Sequence, residues 1–233
     1  MIKLYGFGES FSLPDSSPFV LKVHAYLKMV GIEYTCVSDF KNLQTAPKGK
    51  LPYIEDGDKT VSDSSFIIDY LKDTYKVDLD SHLSTEEKSL GYLIAKSLDE
   101  NLYWCIVYSR WISEESWPTA KKVWFDKMDF PLRYIVPIVA RRGVRDKLKK
   151  HGIGLHSESE ILKISNLSLQ ALSGFLNEKQ FILGDKVSSL DANVYAHLAQ
   201  FILSDLDNKF TKGAKQHKNL VDYCHRFQSL YFK

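Results

Sequence analysis

The run Lys50-Leu51-Pro52-Tyr53-Ile54-Glu55-Asp56-Gly57, with Thr60-Val61-Ser62-Asp63-Ser64-Ser65-Phe66-Ile67-Ile68 close behind it, constrains the fold more than any other stretch. Asp56-Gly57 between two short β-prone runs signals a tight hairpin, because glycine accepts φ > 0 without steric cost. Proline has no N–H to donate, so Pro52 belongs at the first residue of its strand, at an edge or at a bulge. Asp63, Ser64 and Ser65 then enter a helix whose first turn leaves N–H groups free for a carboxylate or phosphate. One hairpin thus carries a proline-headed strand back to an open helix N-terminus.

Upstream, Ile2 to Tyr5 alternates as a first strand. A Gly/Ser/Pro/Asp loop follows, and Ser17-Pro18 opens a helix with Phe19, Val23, Tyr26, Leu27 and Val30 on one face, stopped by Gly31. Glu33 to Ser38 reads as a second strand. The order is β-α-β, then β-β-α. Asp73 to Ser84 holds no sustained period and reads as a linker, so a first domain over 1–77 and a second over 85–233 are expected.

Beyond the linker everything reads helical. Thr85-Glu86-Glu87-Lys88 starts a long helix through Leu90, Leu93, Ile94, Leu98, Leu102 and Ile106. Glu100, Trp104, Tyr108 and Trp111 recur on one face of it, either as inter-helix core or as the wall of an apolar pocket. Arg110 has a ring or Glu114 as expected partner. Pro118, Pro131 and Pro137 break the next region. Arg141 to Lys150 reads as a solvated basic helix end. Ser157 with Glu160, and Ser188 with Asp191, are capping boxes. The second launches Ala192–Leu203, apolar nearly all round and hence a buried central helix. A last helix spans Leu220 to Phe227.

A pI near 8.2 with net charge +2 gives no case for nucleic acid as a partner. No run of 18 apolar residues exists, so no transmembrane helix and no membrane partner are expected. No signal-peptide pattern opens the chain. Cys36, Cys105 and Cys224 are widely spaced and fit no CxxC or metal pattern, which fits reduced thiols in the cytoplasm and no bound metal.

Ser17 is the most chemically suggestive residue. At a strand-to-helix turn it is either a plain N-cap or a hydroxyl donor beside the positive end of a helix macrodipole, where a thiolate would be stabilised.

These residues together resemble the glutathione S-transferases: a thioredoxin-like N-terminal domain (βαβ-ββα) followed by an all-α domain. Ser17-Pro18-Phe19, Lys50 to Ile54, Ser62 to Ile68, Tyr103-Trp104 with Arg110-Trp111, Gly152-Ile153-Gly154 and Leu190-Asp191-Ala192 are similar to the metaxin-like, failed-axon-connections-type branch. The resemblance implies that Leu51, before a cis Pro52, offers its backbone to the cysteinyl part of glutathione. It implies that Asp63-Ser64 hold the γ-glutamyl end, and that a cation such as Lys50 meets the glycyl carboxylate. Ser17, or Ser16 beside it, would hold the thiol of glutathione as thiolate, and Tyr5 is a third possible activator. A free thiol of this kind has a pKa of about 8.5, and each unit of lowering favours the anion by about 1.4 kcal/mol. Phe7, Trp104, Tyr108 and Trp111 would line the pocket for an apolar electrophile. Homodimerisation and a detoxifying role follow from family habit, and a non-catalytic binding or assembly module is the alternative.

Overall fold

The computed structural model describes residues 1–232. Its N-terminal part runs β1 (Ile2–Gly6), α1 (Pro18–Val30), β2 (Tyr34–Ser38), a short α2 (Asn42–Thr45), β3 (Tyr53–Asp56), β4 (Lys59–Ser62) and α3 (Ser64–Tyr75). The four strands form one sheet in the order β2-β1-β3-β4. β1 and β2 are parallel because α1 crosses between them, whereas β3 and β4 are antiparallel neighbours across the Asp56-Gly57 turn. This is the expected thioredoxin-like plan. Gly57 has φ 59°, which the tight turn requires.

α1 is built as its sequence dictates. Ser17 caps it, Pro18 occupies its first turn, and Gly31 ends it at φ 68° with its N–H on the carbonyls of Leu27 and Lys28.

The rest is helical: α4 (Thr85–Ser97), α5 (Tyr103–Trp111), α6 (Trp117–Phe125), α7 (Leu132–His151), α8 (Glu158–Leu176), α9 (Ser189–Ile202), α10 (Lys209–Lys215) and α11 (Lys218–Tyr231). The Ser157/Glu160 and Ser188/Asp191 capping boxes both form. Every residue of α9 from Leu190 to Ile202 is buried, and α9 packs on α1, so the expected central helix joins the two halves. Asp191 serves more than its own cap, accepting from the N–H groups of Ile182 and Ser188 and from the Tyr223 hydroxyl.

Two expectations are corrected and a third is narrowed. The long helix from Thr85 is not continuous, because a π-helical turn at Leu98–Leu102 separates α4 from α5. The wider turn goes with an inward-facing Asp99, buried against Lys22 of α1 and His197 of α9. α4 leaves Leu90, Tyr92 and Leu93 exposed, and Gly91 is its one buried residue, a glycine abutting Leu183 and Leu190. Finally, of the two partners expected for Arg110, Glu114 is taken by Arg141 at 2.7 Å, and the ring is that of Phe11. Short α2 and α10 carry too few residues for a hydrophobic period and leave no sequence signal.

A main core runs through both parts. A smaller cluster of Phe11, Ala120, Trp124, Phe125 and Leu206, flanked by Trp111 and Trp117, seals the loop before α1 against the helices.

Candidate functional site

The sheet register gathers the expected site at one end. β1 ends at Gly6, and β3 runs back beside it with Tyr53 opposite Tyr5, so Leu51-Pro52 lies where β1 finishes. β4 pairs Ser62 with Tyr53, so Asp63-Ser64 leaves the sheet at the same end. The loop carrying Ser17 departs from Gly6, and both α1 and α3 begin there with their N-termini. Parallel β2 also finishes at this end, which places the loop of Lys41, Lys48 and Lys50 there.

Ser17 is half-buried, and its Oγ accepts the Val20 N–H at 3.4 Å. Accepting leaves its own proton free to donate, at the positive end of α1. The N-cap and thiol-activating readings of Ser17 are therefore compatible: the oxygen that accepts from Val20 keeps a proton to donate.

The loop from Gly6 to Ser17 is wrapped around one carboxylate. Asp15 Oδ2 accepts the N–H groups of Phe7 and Gly8, and Oδ1 accepts that of Ser17, all at 2.8 Å. Burial pushes the Asp15 carboxyl up to about 6, against the pull of those three donors and of Arg110. Gly6 makes room for this carboxylate, since a Cβ there would stand 2.6 Å from Asp15 Oδ2 and 2.7 Å from Val20 Cγ1.

Arg110 closes the loop from the helical side. Its guanidinium donates to the Ser16 carbonyl at 2.6 Å, and to the backbone carbonyl and Oε1 of Gln200 at 3.2 and 2.6 Å. Gln200 in turn donates to the Asp15 carbonyl. Arg110 is buried and sits over the Phe11 ring at 5.1 Å, and burial draws its pKa down to about 9. Asp15 and Gln200 hold the Ser17 loop without any local pattern that marks them, and Arg110 is marked only for a ring or Glu114: their partners lie up to 185 positions away.

The cis Leu51-Pro52 peptide is present. Among the described residues, no hydrogen bond engages the Leu51 N–H or C=O, which leaves both for an extended peptide ligand. Asp63 caps α3 through the Ser65 N–H at 3.0 Å, from a backbone at φ 85° and ψ 127° that is rare outside glycine. Such a conformation costs about 1–3 kcal/mol and is concentrated at ligand sites. Ser64 follows, buried, at the first position of α3. Beneath it Lys22 Nζ donates to Ser65 Oγ at 3.1 Å and lies 3.8 Å from Asp99, which His197 flanks at 3.7 Å. Burial lowers the Lys22 pKa and takes His197 down to about 4. Lys50 is exposed, whereas Lys48 lies over the Phe66 ring at 4.8 Å.

Tyr5 is occupied elsewhere, donating to Glu55 at 2.6 Å, and that bond holds its pKa up at about 12. The four expected pocket residues take separate aromatic partners: Phe7 meets Phe40, Trp104 stacks on His151, Tyr108 meets Phe210 and Trp111 stacks on Trp124. No cluster of metal-ligating side chains occurs among the described residues.

Residues 18–116 match the family model of the glutathione S-transferase N-terminal domain, and residues 166–227 that of the glutathione S-transferase C-terminal domain. The isoprene-epoxide glutathione S-transferase of Rhodococcus sp. (strain AD45) is 37% identical to this chain over 99% of each. Failed axon connections of Drosophila melanogaster is 33% identical over 86% of this chain and 50% of its own length. The crystal structure of glutathione transferase GSTFuA3 from Phanerochaete chrysosporium superposes with a TM-score of 0.70 at 14% identity, covering 98% of this chain and 96% of that one, a likeness of fold.

Proposed function

The chain belongs to the glutathione S-transferase family, and we propose that it binds reduced glutathione at the shared end of its sheet and uses Ser17 to hold the thiol as thiolate. The observation that carries this is the Ser17 hydroxyl: its oxygen is fixed by the Val20 N–H, and its proton is free at the α1 N-terminus. The free N–H and C=O of Leu51 suit the cysteinyl backbone of the tripeptide. The α3 N-terminus with Ser64 suits the γ-glutamyl carboxylate, and the Asp63 carboxylate suits its ammonium group. Lys50 is the cation assigned to the glycyl end.

The thiolate then attacks an apolar electrophile. The Rhodococcus relative's name points to an epoxide as the class. The sulfur forms a C–S bond at one ring carbon as the C–O bond at that carbon breaks. The resulting alkoxide takes its proton from water. Phe7, Trp104, Tyr108 and Trp111 are the residues assigned to the electrophile's surroundings. The three free cysteines favour a cytoplasmic setting. Exposed Phe66, Tyr92 and Leu93 favour a homodimer through α3 and α4.

A second reading, a non-catalytic assembly module, is favoured by one observation. Trp111, which the first reading assigns to the electrophile, is packed in an aromatic cluster with Trp117, Trp124 and Phe125. Calorimetric titration with reduced glutathione and with S-hexylglutathione separates the two readings. Binding of both, with the alkyl analogue tighter, supports the transferase. Binding of neither leaves the assembly module.

A further inference from the structure

α7 is a 20-residue helix in which only Pro137 and Leu148 are fully buried. It packs on α5, on α6 and on the short turn Ile153–Leu155 that follows it, and most of its remaining surface faces solvent. Its first turns and Phe130 ahead of them present a mostly apolar tip: Phe130 is 77% exposed, Ile138 70% and Val139 65%, with Leu132, Tyr134 and Ile135 about half exposed beside them and one cation, Arg133, over the Tyr134 ring. Farther along the same helix come Arg142, Arg145, Lys149 and Lys150, also exposed. Residues 117–151 carry ten Lys or Arg against three Asp, net +7 in a chain whose total is +2. A cleft of about 440 Å³ lies between α6 and α7 where the two zones meet, lined by Trp117, Lys121, Ile138, Arg142 and Arg145 among others.

We propose that the α6–α7 hairpin is a docking element for an anionic lipid bilayer surface, with its apolar tip entering the interface and its basic shaft lying over the headgroups. The dimensions fit. Leu132 to Val139 rises about 10 Å along the axis, the depth a tip entering end-on would reach before the basic turns begin. The next turns then hold the arginines and lysines at the level of anionic headgroups. Other occupants fit less well. A two-fold contact with a second copy would set one net +7 segment against another. A nucleic acid would engage the basic shaft and leave the apolar tip in water. The sequence expectation of no membrane partner rests on the lack of a crossing segment. No helix of the described residues is long and apolar enough to cross a membrane, and surface attachment needs none.

The test is co-sedimentation of the full chain with vesicles of phosphatidylglycerol and phosphatidylcholine, and with vesicles of phosphatidylcholine alone. The expected result is partitioning to the anionic vesicles only, reversed by high salt. Ile135→Ser with Ile138→Ser abolishes it. Arg142→Gln, Arg145→Gln and Lys149→Gln together weaken it by on the order of 100-fold, at about fivefold per charge. All five positions are exposed, and thermal melts matching the parent establish that the variants fold. Equal partitioning to both vesicle types, or to neither, overturns the proposal. So does self-association in solution that the isoleucine variant abolishes while vesicle binding is absent.

Discussion

Arg110 donates to the carbonyl oxygen of Ser16 at 2.6 Å, so a side chain of the helical domain holds the peptide that leads into Ser17. The same guanidinium is tied to Gln200 of α9, and Asp15 holds the Ser17 N–H from the other side. The residue proposed to activate the thiol is therefore positioned jointly by both halves of the chain.

Arg110→Lys tests that positioning. A lysine presents one compact ammonium where the guanidinium fork reaches three acceptors. The Ser16 carbonyl or the Gln200 groups then go unpaired, at a cost of about 1–3 kcal/mol. The expected outcome is a lower melting temperature and a kcat reduced roughly tenfold, with glutathione affinity within about twofold of the parent. An equal loss in affinity would place Arg110 in ligand binding instead.

The two tasks assigned to Ser17, helix cap and proposed thiol activator, are separated by substitution. Ser17→Ala removes cap and hydroxyl together, costing about 1 kcal/mol of stability as well as turnover. Ser17→Asn keeps an N-cap acceptor for the Val20 N–H but has no hydroxyl. Thermal melts of the asparagine variant should match the parent while its turnover falls with the alanine variant's. Thiolate absorbance of bound glutathione, followed against pH, should titrate at a higher pKa in both. Unchanged turnover in Ser17→Asn would remove the hydroxyl from the mechanism.

The legible part of the fold was what local chemistry dictates: the Asp56-Gly57 hairpin, the Ser17-Pro18 helix start, the two capping boxes and the wholly apolar α9. Leu51, Asp63, Ser64 and Ser17 were legible as candidates because each sits at a strand or helix terminus with a distinctive residue type. Asp15 looks like any loop acid, and its meaning comes from three N–H groups folded around it. The π-turn was hidden because Leu98 and Leu102 keep a helical spacing while the backbone between them widens to turn Asp99 inward. The aromatic stripe was legible as a shared helix face, but its partners were not, for a related reason. Residues sharing a helix face need not share a neighbour, and Trp104, Tyr108 and Trp111 meet three different elements.

Asp63 combines a capping side chain, a free charge and a left-sided backbone. Asn tolerates φ > 0 better than most residues and caps helices as well as Asp does. Asp63→Asn should therefore leave the melting temperature nearly unchanged. Its effect should appear in calorimetry as a roughly tenfold loss of glutathione affinity, from the missing attraction to the γ-glutamyl ammonium. Parent-like affinity would detach Asp63 from that end of the ligand.

Acid should destabilise the protein through two buried histidines. His24 faces Tyr34, Cys36 and Lys28, and His197 faces Asp99, Lys22 and the Asn193 carbonyl. Burial takes both from 6.5 to about 4. A depressed folded pKa gives stability that is fully present above the unfolded value and lost as pH falls through the folded one. Each histidine thus contributes on the order of 3 kcal/mol above pH 6.5 that fades toward pH 4. Asp15 and Asp191 act oppositely, since burial raises both carboxyls and a raised carboxyl favours the folded state at low pH, so the histidine contribution is read as a difference between parent and variant. Urea denaturation at successive pH values should show the parent gaining more stability between pH 4 and 6.5 than a variant lacking one of these histidines. His24→Gln should reduce that gain, and an unaltered slope would mean His24 is protonated alike in both states.

Gly6 gives the most direct test of how the Ser17 loop is held. An alanine Cβ would meet Asp15 Oδ2 at 2.6 Å and Val20 Cγ1 at 2.7 Å, both well inside contact. Overpacking of this kind typically costs about 1–3 kcal/mol. Asp15 must retreat, and with it go the bonds to Phe7, Gly8 and Ser17. Gly6→Ala should lower turnover by more than the matching loss of stability explains, measured at a temperature where the variant is fully folded. Gly174→Ala is the control: its Cβ meets nothing within 4 Å, so it should leave both turnover and melting close to the parent. A Gly6→Ala protein with parent-like kcat would show that the Asp15 carboxylate does not set the position of Ser17.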